Sequence, residues 1–226
     1  MIKTLKKRFW DWPDGWVWRV TGERTKQSRR DRFDLFMRLM KPTARDRLLD
    51  VGVGLGEGRT MNFFEEWYPW RTQLTALAVE DSPGFRVRYP DIAFVVGDGR
   101  RMDFPDRTFD VCFSNAVVEH VGSLDRQRSF IQESCRVGKS VFFSTPNRWF
   151  PIELHTLVPF AHWLPIDLRN TIYRVLGRDY WANEDTLRLM TLSEIRRCVP
   201  KGWSMEVHRQ RVFGWTINFN VILRRD

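Results

Sequence analysis

The sequence predicts an α/β protein, a doubly wound, mostly parallel sheet of seven strands closed by an antiparallel C-terminal hairpin. Three observations predict it. Five short apolar runs, at 48–53, 74–80, 92–96, 109–115 and 140–145, read as buried parallel strands separated by crossover segments. The first run passes straight into glycines at every second position, Gly52, Gly54 and Gly56, as a strand ending in a nucleotide loop does. The last stretches, Trp203, Met205, Val207 and then Trp215, Ile217, Phe219, Val221 and Leu223, alternate with polar residues, which is the signature of a hairpin with one wet face. At 226 residues the chain supports one full core and is read as a single domain. Within it, 1–46 is a basic, Trp-rich arm and helix, 47–146 the ligand-binding core, 147–190 an aromatic roof, and 191–226 the closing helix and hairpin.

The elements follow in order. Lys3, Lys6, Lys7 and Arg8 are interleaved with Phe9, Trp10, Trp12, Trp16 and Trp18 in the arm. Residues 1–49 hold fourteen Lys and Arg against six Asp and Glu, so they carry +8 of the formal +9. Cations beside aromatics suit packing on the arm's own domain, an anionic membrane surface, or nucleic acid, in that order. Phe33, Phe36, Met37 and Met40 fall at helical spacing over 28–40, ended by Pro42. A first crossover helix is predicted over 58–68, stopped at Pro69. Thr191 and Glu194 form a capping box for a helix carrying Ile195, Cys198 and Val199.

Counting decides what the glycine loop can hold. The dinucleotide spacing G-x-G-x-x-G would need glycine at 57 or 59, where Glu57 and Arg59 stand. The spacing is acidic-x-G-x-G-x-G, with Asp50 leading. "LDVGVGLGEG" resembles the first motif of the class I S-adenosylmethionine (SAM) methyltransferases. "LTALAVEDSPGF" and "VVGDGRRMDFPDRTFDVCFSNAVVEHV" resemble, in order, the second-strand and the adenine and fourth-strand segments of that family, so the likeness covers roughly residues 47–146. The group it most resembles is the small-molecule methyltransferases of ubiquinone and menaquinone biosynthesis, with a Rossmann-like sheet.

The resemblance implies a site. The glycine loop of Gly52, Gly54 and Gly56 wraps the amino acid and ribose of SAM, with Asp50 near the methionine part. Glu80, at the end of the second strand, grips the ribose hydroxyls, with Asp81 as alternate ligand or helix cap. Asp98 accepts from the adenine amino group, Gly99 lets the ring approach, and Asn115 lies near SAM at the end of the fourth strand. The ends of strands four and five flank the methyl group, so the Pro-broken segment after strand five roofs the acceptor. His120 and His155 border that position and are the candidate general bases, since imidazole titrates near neutrality. Local capping or packing explains each histidine as well.

"ELH" at Glu153 and His155 offers two metal ligands with no third in reach, so no metal is expected. Methyl transfer from a sulfonium is an in-line displacement helped mainly by alignment, and it requires no triad. "TPN" after strand five departs from the N-P-P-[YF] pattern of adenine-methylating enzymes.

The expected activity is methyl transfer from SAM, releasing S-adenosylhomocysteine, to a small apolar or lipid-like acceptor. Two rivals remain: an RNA or protein methyltransferase docking through the basic arm, and a SAM-binding partner protein without turnover. Cys112, Cys135 and Cys198 are scattered and make no zinc or disulfide pattern. With no apolar signal segment, they place the chain in the cytoplasm, with peripheral contact at an inner membrane surface as a further reading of the arm.

Overall fold

The computed structural model describes residues 16–54 and 62–226, with side chains from residue 26 onward. Gly56, the start of the expected 58–68 helix and the basic-aromatic run up to Gly15 lie outside the described residues. The chain divides into two units, 1–39 and 40–226. In the first, α1 (Trp16–Met40) begins well before the Ser28 start that apolar spacing predicts. Residues 16–27 lack that spacing, yet no proline interrupts them, so the backbone stays helical without an apolar stripe to announce it. Gln27 donates to Asp31 (2.7 Å) and Arg30 pairs with Asp34 (3.3 Å), side-chain links one turn apart.

The second unit carries the sheet. In chain order it contains β1 (Leu48–Val51), α2 (Phe63–Trp67), β2 (Leu74–Ala78), α3 (Pro83–Arg88), β3 (Ala93–Val96) and β4 (Phe109–Asn115). These are followed by α4 (Leu124–Val137), β5 (Gly138–Pro146), α5 (Ile166–Val175), α6 (Leu192–Cys198), β6 (Trp203–Val212) and β7 (Trp215–Arg225). The strand order is β3-β2-β1-β4-β5-β7-β6. β1 to β5 are parallel, while β7 runs antiparallel to both β5 and β6. The predicted fold class is therefore the observed one. Strand order reverses between β1 and β4, and the crevice outside the carboxyl ends of those strands is where such sheets take ligands.

Alternation along the strands builds a different core on each face. Leu49, Val51, Cys112, Val141 and Phe143 share one core with Phe130, Ile131 and Cys135 of α4 and Ile195 of α6. On the other face Phe64 of α2 stacks on Phe113 at 3.9 Å, and Phe113 stacks on Phe142 at 5.8 Å. All three cysteines are buried, unpaired thiols.

Neither α4 nor α5 is among the elements read from the sequence. In α4 two of the buried positions are polar, Gln127 and Ser134, which hides the apolar period. Each is satisfied: Gln127 Nε2 donates to the carbonyls of Val118 (3.0 Å) and Arg188 (2.7 Å), and Ser134 Oγ to that of Phe130 (2.8 Å). The capping box of α6 is present as predicted: Glu194 N–H donates to Thr191 Oγ1 (3.2 Å) and Thr191 N–H to Glu194 Oε2 (2.7 Å). The cap of α3 is Ser82 rather than Asp81, accepting from Phe85 N–H at 3.2 Å. Ser82 directly precedes Pro83 at the first helical position, so the cap falls to it.

Residues 147–190, expected to roof the acceptor, follow β5. They have a small core of their own, Ala161, Tyr173 and Ala182 with Trp181 against it. They also expose Trp149, Ile152, Leu154, Leu157, Phe160 and Leu168. Among the described residues no helix is long and apolar enough to cross a membrane.

Candidate functional site

A crevice of about 250 Å³ lies where the sequence reading places the donor. It is lined by Val51 at the end of β1 and Gly52 after it, Leu77 to Val79 at β2, Gly97 to Arg100 after β3, and Val117, His120 and Val121 after β4, with Arg126 and Phe130 of α4 and Asp185. Gly52 sits at φ +90°, and its N–H donates to the Leu77 carbonyl at 2.8 Å. A Cβ there would stand 2.6 Å from both methyl carbons of Val117. Gly54 is clasped to the start of α2: its N–H donates to Asn62 Oδ1 (3.0 Å), and Asn62 Nδ2 donates back to its carbonyl (3.0 Å). Asn62, which joins the two described ends around the loop, is a residue that the sequence reading did not single out.

Asp50 is buried and faces a second buried acid, Glu65 of α2, in a small cavity shared with Gly52, Gly54 and Asn115. Burial, the charge of Glu65 and the hydrogen bond between the two carboxyls all push Asp50 well above the usual carboxylate range. Burial likewise raises Glu65, to about 7, against the opposing pull of Arg88 and of the hydrogen bonds it accepts. The pair therefore shares a proton near neutrality, as like charges taken out of water must. Glu65 Oε1 is buried without a hydrogen-bond partner, so the cavity presents a bare acceptor. Asn115, at the end of β4, accepts from Ser144 Oγ at 2.9 Å.

The remaining donor-side residues are arranged less simply. Glu80 stands exposed, two residues beyond β2, and Asp81 beside it pairs with Arg86 at 3.0 Å. Asp98 lines the crevice, but Arg100 grips both of its oxygens, at 2.6 Å for the closest contact. That side-chain bond outweighs burial and holds the Asp98 carboxyl below its ordinary value. Gly99 has a packing reason to be glycine: a Cβ would approach Phe130 to 2.7 Å and Val51 to 2.9 Å.

His120 and His155 meet. Their rings lie 4.8 Å apart edge to face, with Trp181 tilted against both at 6.0 and 4.9 Å. Because carbonyl and carboxylate oxygens only accept, His120 Nδ1–H donates to the Thr186 carbonyl (2.8 Å) and His155 Nδ1–H to Glu153 Oε1 (2.6 Å). Burial works against protonation of His155, and the Glu153 carboxylate overrides it and raises its pKa. Glu119 is fully buried between them, which raises its own pKa; Thr145 Oγ1 donates to its Oε2 at 3.1 Å.

The expectation that His155 has no further metal ligand in reach is corrected here. The ligating atoms of Glu119, His120 and His155 all lie within 4.8 Å of one another, because β4 and β5 are neighbours and their ends converge. Glu153, the other half of the "ELH" pair, instead orients His155 and accepts from the N–H of Thr156 at 2.6 Å.

Comparison with known proteins bears on the family and the fold. Residues 49–141 match the family model described as a methyltransferase domain. Malonyl-[acyl-carrier protein] O-methyltransferase of Serratia marcescens is 30% identical over 104 residues, 44% of this chain. The chain spans only 38% of that curated relative's length. Among solved structures, a Pyrococcus horikoshii protein superposes with a TM-score of 0.57 at 16% identity, covering 89% of this chain and 91% of its own. The 1,6-didemethyltoxoflavin-N1-methyltransferase of Burkholderia thailandensis, solved with its substrate and S-adenosylhomocysteine, gives 0.55 at 14% identity, covering 87% and 77%. Over residues 49–141, less than half of the chain, the sequence is thus similar to the methyltransferase-domain family, and its strand order is that of a doubly wound sheet.

Proposed function

We propose that the protein transfers the methyl group of SAM to a small, apolar or lipid-linked acceptor held beneath the 147–190 roof. The observation that carries this is the make-up of the crevice: Gly52, Gly97 and Gly99 with Asp98 and an apolar wall on the β1 to β3 side, and His120, with His155 and Trp181 packed behind it, on the β4 side. The residues fit the donor. The unpartnered Glu65 Oε1 beside Asp50 suits an ammonium group, and the apolar wall of Val51, Leu77 and Val79 suits a purine. Asp50, Glu65, Gly52 and Gly54 would hold its amino acid part, Glu80 its ribose, and Asp98 with Gly99 its adenine. When bound, SAM supplies an electrophilic methyl on a good leaving group.

This chain's own part is to align and to exclude water. Gly52 keeps the backbone low enough for close approach, Val117 and Phe130 keep the crevice apolar, and His120 stands where an acceptor oxygen or nitrogen would enter. With Nδ1 donated away, Nε2 of His120 presents its lone pair to the crevice. The exposed apolar side chains of the roof, Trp149, Leu154, Leu157 and Phe160, support an acceptor presented from a lipid or carrier rather than a sugar-like one. The basic, Trp-rich arm supports peripheral membrane contact; co-sedimentation with anionic vesicles, lost on removal of residues 1–22, is the expected result.

Two measurements test the reading. Methyl-labelled SAM incubated with the protein and a solvent-extractable lysate fraction should label a small molecule; label confined to RNA or protein would transfer the function to the rival class. Glu80→Ala should weaken SAM by roughly tenfold or more in calorimetry, the loss of a charge-assisted pair of hydrogen bonds to a diol. Unchanged affinity would place the ribose elsewhere.

A further inference from the structure

We propose that Glu119, His120 and His155 form the protein side of a divalent transition-metal site at the β4 edge of the crevice. Two independent features point there. The first is the convergence of one carboxylate and two imidazoles, with ligating atoms mutually within 4.8 Å. Around a cation at about 2.1 Å such atoms stand roughly 3 to 3.5 Å apart, so modest side-chain rotation closes the set. The second is that the set is wired outward and left open inward. His120 Nδ1–H is spent on the Thr186 carbonyl and His155 Nδ1–H on Glu153. Both Nε2 atoms are left as lone pairs, the arrangement by which metal-binding histidines are oriented.

Glu119 follows the same logic: Thr145 holds Oε2, while Oε1 is fully buried and has no partner. A buried carboxylate oxygen without a partner is destabilising, and a purely structural cluster would avoid it by making the missing bond. Two imidazoles and one carboxylate are a borderline-soft set suited to Zn²⁺, Co²⁺, Mn²⁺ or Fe²⁺, and they leave coordination positions open. Because His120 lines the crevice, those positions face it, and a hard acceptor oxygen would occupy one of them. That last step rests on the proposed methyl transfer; the binding of the ion does not.

The test uses the full chain stripped with chelator and titrated with Co²⁺, read by visible d–d absorption and calorimetry, then displaced with Zn²⁺. One ion per chain at micromolar affinity or tighter is expected. Glu119→Gln, which keeps shape, and His155→Ala should each weaken it at least tenfold, whereas His208→Ala, on the hairpin and bonded to Glu206 at 2.6 Å, should leave it unchanged. Thermal unfolding and SAM titration of each variant show that it is folded. Millimolar binding, or micromolar binding indifferent to Glu119→Gln and His155→Ala, would overturn the site. Cluster-dependent Co²⁺ binding in a protein that does not bind SAM would retain the metal site and remove the proposed function; the reverse result would do the opposite.

Discussion

Gly52→Ala is expected to lower both SAM affinity, by about a hundredfold, and the thermal midpoint, by more than about 5 °C. The substitution is penalised twice at one carbon. At φ +90° an L side chain is strained, a cost on the order of 1–3 kcal/mol. The new Cβ would also lie 2.6 Å from both Val117 methyls, and forcing atoms into a packed site typically costs about 1–3 kcal/mol more. Val117 cannot yield quietly. It is β-branched, it precedes the single turn Val118–His120, and any retreat drags that turn and the crevice wall with it. Differential scanning calorimetry and SAM titration check the single variant, and Gly52→Ala/Val117→Ala separates the causes. The double variant should recover the steric share and keep the backbone share. Wild-type behaviour of Gly52→Ala would mean that the loop does not need its left-handed turn, and the donor site would have to be sought elsewhere.

Much of this was legible in advance for a plain reason: buried parallel strands are continuous apolar runs, and loop glycines are counted by spacing alone. Gly52 and Asp98 line one crevice, and Asp50 and Gly52 the adjoining cavity. What stayed hidden depends on the third dimension. In "FFEEW" nothing says which acid turns inward; Glu65 is buried against Asp50, while Glu66 faces out to Arg88 and Tyr89. His120 and His155 are far apart in the chain, and only the adjacency of β4 and β5 brings their rings together. Arg100, two residues from Asp98, occupies the carboxylate that adenine was expected to use, and no spacing in the sequence announces that contact. Helix α4 escaped because buried polar residues that satisfy themselves leave no hydrophobic trace.

The buried acid pair makes the second large prediction. In the folded protein both Asp50 and Glu65 titrate above their unfolded values near 4, Glu65 at about 7. The sign follows from linkage. A raised folded pKa favours the folded state most below the unfolded pKa, and that contribution is lost as pH climbs from about 4 to about 7. The ligand-free protein should therefore become less stable over that range. Binding an ammonium beside Glu65 Oε1 reverses the preference, because it rewards the deprotonated pair and expels the shared proton. SAM affinity should rise by up to tenfold per pH unit below about 7, then fall above about 8 as the amino acid nitrogen of SAM loses its own proton.

Calorimetry in two buffers of different ionisation enthalpy reads the proton directly. Glu65→Gln separates the two effects: it removes the ionisable neighbour while keeping the shape. The ligand-free variant should melt higher than wild type at pH 8, its SAM affinity should drop by roughly ten- to a hundredfold, and the rise through pH 7 should flatten. Affinity independent of pH between 6 and 7.5, with no proton released, would show that the ammonium lies away from the pair. Asp50 would then serve the loop's architecture rather than the donor's charge.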